Sequence, residues 1–296
     1  MIYALNYSIH DIETYFLIAF IGLLIFTGIG LLAIARYYVK LIPLFIVVPL
    51  ISLFLNYSSN NESKNYLVPE YTRILVENLR PNAIILSSQW DYWCSAFWYK
   101  QRVENYRPDV VLIEKELLRR TWFPSQLKKW YPAIMEQSKI ELDDYMQDLE
   151  MFESGSEYDR ERIQQRYLKL LNSLIDYNYG KRPVYITLEV FQNEPDVAKN
   201  YLKIPEGFTF RLEKEQKVFP VSVDNINPDK FIASLKGKSG HLVEGIRNVA
   251  AINIANIGRY ALFSNQPEAS RKAFLLALKV EPDNEIALQG LQQLSK

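Results

Sequence analysis

The residues best equipped for ligand chemistry lie between Trp90 and Trp122. The stretch WDYWCSAFWYKQRVENYRPDVVLIEK, residues 90–115, carries seven aromatic side chains in its first seventeen positions and then becomes a β-branched run. Trp90, Asp91, Tyr92 and Tyr99 join flat apolar faces to hydrogen-bonding edges, which suits stacking on sugar rings or on an extended peptide. Asp91, just past the end of a strand expected over residues 83–88, is placed to accept hydrogen bonds from hydroxyl groups. Pro108 excludes helix for Arg107 and opens the next strand. Arg107 itself has two readings, an internal ion pair with Asp109 or Asp91 and a clamp on a ligand. Trp122 borders the same crevice, so the candidate binding set is Trp90, Asp91, Tyr92, Tyr99, Arg107, Asp109 and Trp122. The competing reading is packing, because Trp90, Trp93, Phe97 and Trp98 fall on one face at helical spacing.

Positioning these residues requires a scaffold. Tyr71, Ile74, Leu75 and Leu79 recur at helical spacing over residues 69–79, and Arg80, Pro81 and Asn82 stop that helix. Strand 83–88, the ring-bearing helix and strand 110–114 make a unit of parallel βαβ size. Ligands in such sheets bind at the carboxyl ends of the strands, which Ser87, Ser88, Gln89, Trp90 and Asp91 occupy after the first strand. Charged amphipathic helices are expected over residues 126–150 and 158–177, and a third strand over 183–190. Segments from Phe208 and Val218 read as an antiparallel addition. The expectation is an α/β domain with a small parallel, Rossmann-like sheet and a helical insertion.

Upstream, residues 15–35 run without a charge, long enough for a helix to cross roughly 30 Å of hydrocarbon. Asp11 and Glu13 precede this run where a signal peptide would carry a basic region. A second run, residues 41–55, contains Pro43 and Pro49 and reaches spanning length if residues 37–40 are counted, with Lys40 snorkelling to the interface. The two runs read as a transmembrane hairpin. Arg36 and Lys40 between them place the hairpin loop inside and both flanks outside. A single span would invert the topology. The lipid bilayer is thus the first partner, and the soluble part is expected to be extracytoplasmic, periplasmic at a cell (inner) membrane.

Composition excludes several classes. The 34 basic residues balance 34 acidic ones with no basic block, which argues against a nucleic-acid partner. Cys94 is the sole cysteine and His10 and His241 the sole histidines, too few for a Cys/His zinc site. The sequence has no phosphate-cradling glycine loop, nucleophile elbow or placed histidine base, so no cofactor and no catalytic residue are assigned.

Near the C-terminus, Gly258, Ser270, Phe274, Ala277 and Pro282 keep the offsets of a 34-residue helical hairpin repeat, followed by EIALQGLQQL. This looks like one tetratricopeptide repeat, with a generic helical hairpin as the alternative. The phrases HDIETYFL, NLRPNAIILSSQWDYW and YKQRVENYRPDVVLIEKELLRRTWFPSQL carry a wider similarity. The chain resembles the C-terminal part of the protein O-mannosyltransferase-like, GT-C type family of multi-spanning membrane proteins, glycosyltransferases that use lipid-linked sugar donors. The resemblance implies an extracytoplasmic part that holds acceptor protein or glycan, beside a multi-spanning membrane partner. The family's catalytic carboxylate belongs to an early extracytoplasmic loop that no residue here matches, and Asp11 and Glu13 precede the wrong helix for that role. The alternative function is a non-enzymatic, membrane-anchored scaffold. The expected divisions are 1–57 for the membrane hairpin, 58–240 for the α/β domain and 241–296 for the repeat-like helices.

Overall fold

A computed structural model of the protein describes residues 12–295 and divides into two units, residues 1–65 and 66–296. The first unit holds helices α1 (Leu17–Tyr37) and α2 (Ile42–Asn60), joined through a 3-10 turn at Val39–Leu41. Both are long and apolar enough to cross a membrane, with mean hydropathy 2.7 and 1.3, and neither apolar face is covered by protein. Such bare apolar surface is stable in a bilayer rather than in water. Pro43 sits in the first turn of α2, where its missing N–H costs nothing, whereas Pro49 lies inside the helix.

In the second unit, helix α3 (Leu67–Glu77) buries Leu67, Tyr71, Ile74 and Leu75, as the 3.6 period dictates. Strand β1 (Ile84–Ser87) pairs in parallel with β2 (Val111–Glu114) on one side and with β3 (Val184–Ile186) on the other. Helix α4 (Ser95–Val103) connects β1 to β2. Four helices, α5 (Trp122–Trp130), α6 (Pro132–Gln137), α7 (Lys139–Glu153) and α8 (Arg160–Asp176), carry the chain from β2 to β3. The strands are buried on both faces, so alternate residues enter different cores. Ile85, Leu112 and Tyr185 join α3 and α4 in one core, whereas Ile84, Leu86, Val111, Ile113 and Ile186 meet Phe123, Leu142, Tyr167 and Leu170 in the other.

The sheet is mixed, with order β2-β1-β3-β5-β4, and only its β2-β1-β3 part is parallel. After the short helix α9 (Leu188–Asn193), strands β4 (Leu202–Glu206) and β5 (Thr209–Glu213) form a hairpin, and β5 pairs antiparallel with β3. Its two-residue turn starts at Gly207 with φ +61°, a conformation only glycine adopts freely, and an added Cβ there would lie 2.5 Å from Asn78 Cβ.

Two sequence expectations are corrected here. The strand expected over 183–190 ends at Ile186 because α9 begins at Leu188. The segment from Val218 is not a strand: its Phe219 and Val221 N–H groups donate to Tyr260 Oη and Gln266 Oε1 rather than to a ladder.

Beyond α10 (Asp229–Leu235) come α11 (His241–Phe263), α12 (Pro267–Val280) and α13 (Glu285–Leu294). Ile246, Ala250, Ile254 and Phe274 belong to the same core as α3 and the sheet, so these helices are continuous in packing with the α/β body. The Phe274 ring lies against both Gly258 and Gly290, where an added Cβ would come within 2.6 and 2.1 Å of it.

Candidate functional site

The connections leaving β1 and β2 run to opposite sides of β1, which puts a topological switch point at the carboxyl ends of β1 and β3, the place where open α/β sheets bind ligands. A buried polar cluster occupies it. Ser87, the last residue of β1, accepts hydrogen bonds on Oγ from Trp93 Nε1 at 3.1 Å and Thr187 Oγ1 at 3.3 Å. The Gln89 carboxamide accepts from Tyr71 Oη at 3.2 Å and donates through Nε2 to Glu189 Oε1. Glu189 Oε2 is buried and accepts no hydrogen bond among the described residues.

An unpartnered buried carboxylate oxygen costs about 1–3 kcal/mol and calls for an explanation in function or protonation. Burial pushes the Glu189 carboxyl above its ordinary value, against the opposing pull of the Gln89 hydrogen bond. Burial likewise raises the Tyr71 and Tyr92 hydroxyls, and the Glu189 charge adds to both shifts. The cluster therefore combines a carboxyl of raised proton affinity, an amide and two protonated phenols; Tyr71 and Gln89 are buried and bonded to each other, whereas Tyr92 and Glu189 are its partly exposed members.

The rings start directly from this cluster. Trp90–Cys94 forms a single π-helical turn, with Ser95 N–H bonded to Trp90 O, before regular α-helix begins. Wide turns of this kind concentrate at functional sites because they re-aim side chains. Here the turn sends Trp93 into the core and leaves Trp90 43% exposed, with Asp91 in solvent beside it. Tyr92 is half-buried, edge-on to Tyr71 at 6.5 Å, with its hydroxyl against Gly245 of α11.

Trp98 is the hub of a ring array. It meets Trp90 at 5.6 Å, Phe123 at 5.8 Å and Trp130 at 5.4 Å, and Trp122 continues from Phe123 at 5.5 Å. The array links two exposed indoles, Trp90 and Trp122, through rings that pack inward. Packing and exposure thus divide the rings: Trp93 and Phe97 are core, while Trp90, Tyr99 and Trp122 present surface.

Arg107 and Asp109 belong to the opposite end of the sheet. Arg107 Nε and Nη2 grip Asp109 at 2.8 and 2.9 Å. The same guanidinium donates to Val76 O at 2.8 Å, Leu79 O at 3.1 Å and Arg80 O at 3.1 Å, satisfying carbonyls at the end of α3. Asp109 in turn accepts the Asn82 N–H at 2.9 Å, just before β1, and the Arg107 bond holds its carboxyl down at about 2. The sequence-derived set is therefore split. Trp90, Asp91, Tyr92 and Trp122 gather about the carboxyl end, Tyr99 lies one turn along α4, and Arg107 with Asp109 ties α3 to the amino end of β2. Asp11 and the side chain of Glu13 lie outside the described residues.

Sequence reasoning missed Glu189 because it extended the third strand through Val190; the signal present was Thr187 followed by the helix formers Leu188 and Glu189. Residues 69–151 match the model of a family described as TMEM260-associated domain 2. The match spans α3, β1, the ring-bearing turn, β2 and the helices through most of α7, and ends before β3 and Glu189. No solved structure matches the chain.

Proposed function

We propose that this chain is the membrane-anchored, extracytoplasmic portion of a protein O-mannosyltransferase-like glycosyltransferase of GT-C type, holding acceptor protein or glycan and not catalytic by itself. The observation that carries the reading is the ring array from Trp90 to Trp122, at a strand carboxyl end and within the segment that matches the family model. Indole faces stack on sugar or peptide groups, and the Gln89–Glu189 pair below supplies hydrogen-bond partners for hydroxyls. Arg36 and Lys40, between two apolar helices, favour an outer location for residues 66–296. The offsets of Gly258, Ser270 and Phe274, with Ser270 Oγ donating to Gly258 O at 2.9 Å, support a tetratricopeptide-like reading of α11 and α12.

The test is binding of a mannose oligosaccharide and of a Ser/Thr-rich acceptor peptide to the full chain in a detergent without sugar headgroups. Trp90→Ala and Asp91→Ala each weaken binding about tenfold, the loss expected for one stacked ring or one charged hydrogen bond. Unchanged binding in folded variants rejects the crevice. A scaffold function draws on Phe263, Leu275 and Leu288, which stand exposed on the C-terminal helices. Co-purification of one stable partner without membrane helices would favour it.

A further inference from the structure

A cleft of about 480 Å³ opens between the turn after β2 and helices α7 and α8, and none of the rings of the Trp90–Trp122 array lines it. Its cationic side is made by Arg119, Arg120 and Arg160, and its apolar side includes Phe152 and Tyr158, edge-on at 4.9 Å. No lining residue is acidic. Arg119 is already matched: it pairs with Glu116 at 3.1 Å, approaches Glu194 at 3.9 Å and lies over the Tyr167 ring at 4.0 Å. Among the described residues, the guanidinium groups of Arg120 and Arg160 have neither an ion pair nor a hydrogen bond. Asp159, which caps α8 by accepting the Glu161 and Arg162 N–H bonds, uses the helix end and leaves the two cations free.

A further polar group in the lining lacks a partner. Tyr145 lines the cleft, is fully buried, and its hydroxyl makes no hydrogen bond among the described residues. Burial pushes that hydroxyl up to about 12, so it remains a donor at neutral pH. Two unmatched guanidinium groups and an idle phenol donor beside two edge-on aromatic rings suit a ligand with a compact multiple negative charge on a flat apolar body. A phosphate monoester, with about 1.5–2 negative charges at neutral pH and three acceptor oxygens, meets that description where a single carboxylate leaves one cation unmatched.

We propose that the Arg120, Arg160 and Tyr145 cleft binds an organic phosphate monoester carried on an aromatic or similarly flat apolar group. This site shares no lining residue with the ring array and does not rest on the function proposed for that array.

The test uses phenyl phosphate as the probe, titrated calorimetrically into the full chain in uncharged detergent, with phenol, inorganic phosphate and benzoate titrated in parallel. Phenyl phosphate binds saturably, at least about tenfold more tightly than any of the three controls, and more weakly as salt is raised. The doubly substituted Arg120→Ala, Arg160→Ala chain, whose lost side chains make no internal contacts of charge, keeps its unfolding midpoint and loses at least about tenfold in affinity. Tyr145→Phe, which removes only the hydroxyl, loses several-fold. The proposal is overturned by absence of saturable binding at millimolar probe, by phenol, inorganic phosphate or benzoate binding as well as phenyl phosphate, or by full affinity in the double variant.

Discussion

Replacing Arg107 should have consequences far larger than those of an ordinary surface arginine. Its side chain is 22% exposed and its partner Asp109 29% exposed, so the pair is only partly screened. The guanidinium makes two bonds to Asp109 and three to carbonyls at the end of α3. A charge-assisted fork contributes about 1.5–3 kcal/mol and each carbonyl bond about 1, but such terms overlap and water replaces some of them. Arg107→Ala is therefore expected to destabilise unit 66–296 by about 3 kcal/mol, or about 6–12 °C in midpoint for a unit of this size. Arg107→Lys should recover no more than about 1 kcal/mol, because an ammonium cannot span both carboxylate oxygens and the carbonyls together.

The pH dependence has a fixed sign. Asp109 is held at about 2 in the folded chain, below its ordinary value, so the pair's contribution is complete above the unfolded carboxylate value of about 3.9 and is lost as pH falls toward 2. The gap between the natural chain and Arg107→Ala should accordingly narrow between pH 4 and about 2, leaving the part due to the carbonyls. Urea unfolding of the full chain in detergent, followed by tryptophan fluorescence, measures both effects. A loss below about 1 kcal/mol at neutral pH, or equal stability of the Ala and Lys variants, would refute the assignment of Arg107 as the tie between α3 and β2.

Two other substitutions probe the cluster and the C-terminal helices. Glu189 has a folded value raised above its unfolded one, so its contribution is present below about pH 4.3 and declines as pH rises through the folded value. Glu189→Gln should remove that decline; an unchanged slope of stability against pH in the variant would show the carboxyl to be ordinary. Gly290→Ala would push a methyl to 2.1 Å from the Phe274 ring and should cost about 1–3 kcal/mol. Rescue is expected on pairing it with Phe274→Leu, and a neutral single variant would mean the helices move apart freely.

Much of the scaffold was legible because its strands are short, β-branched and buried on both faces. Residues 84–87 and 111–114 stand out as apolar runs bounded by turn residues, and Tyr71, Ile74 and Leu75 mark α3 by period alone. Strand β4 was hidden because Leu-Lys-Ile-Pro-Glu mixes a lysine and a proline into an edge strand, where Pro205 is tolerated. The reverse error at Val218–Val223 has the same origin: alternation there suggested pairing, but side chains of α11 and the turn after it take the backbone donors. At the site, the ring content was evident, yet the wide turn that separates Trp90 from Trp93 depends on an i+5 hydrogen bond that no residue pattern announces. Arg107 and Asp109 were grouped with the rings through proximity in sequence, although the helix between them spans the sheet from one end to the other.

Everything proposed for the ring-bearing face requires residues 66–296 to meet the outer aqueous phase. Asn60 ends α2, and Cys94 is fully buried with its thiol pushed well up by burial, so it stays inert in the folded chain. An Asn60→Cys variant therefore reports through one reactive thiol. A membrane-impermeant maleimide should label this variant on intact cells, whereas Tyr38→Cys, in the hairpin loop, should be labelled only after permeabilisation. Labelling of position 60 only after lysis would contradict the outer location.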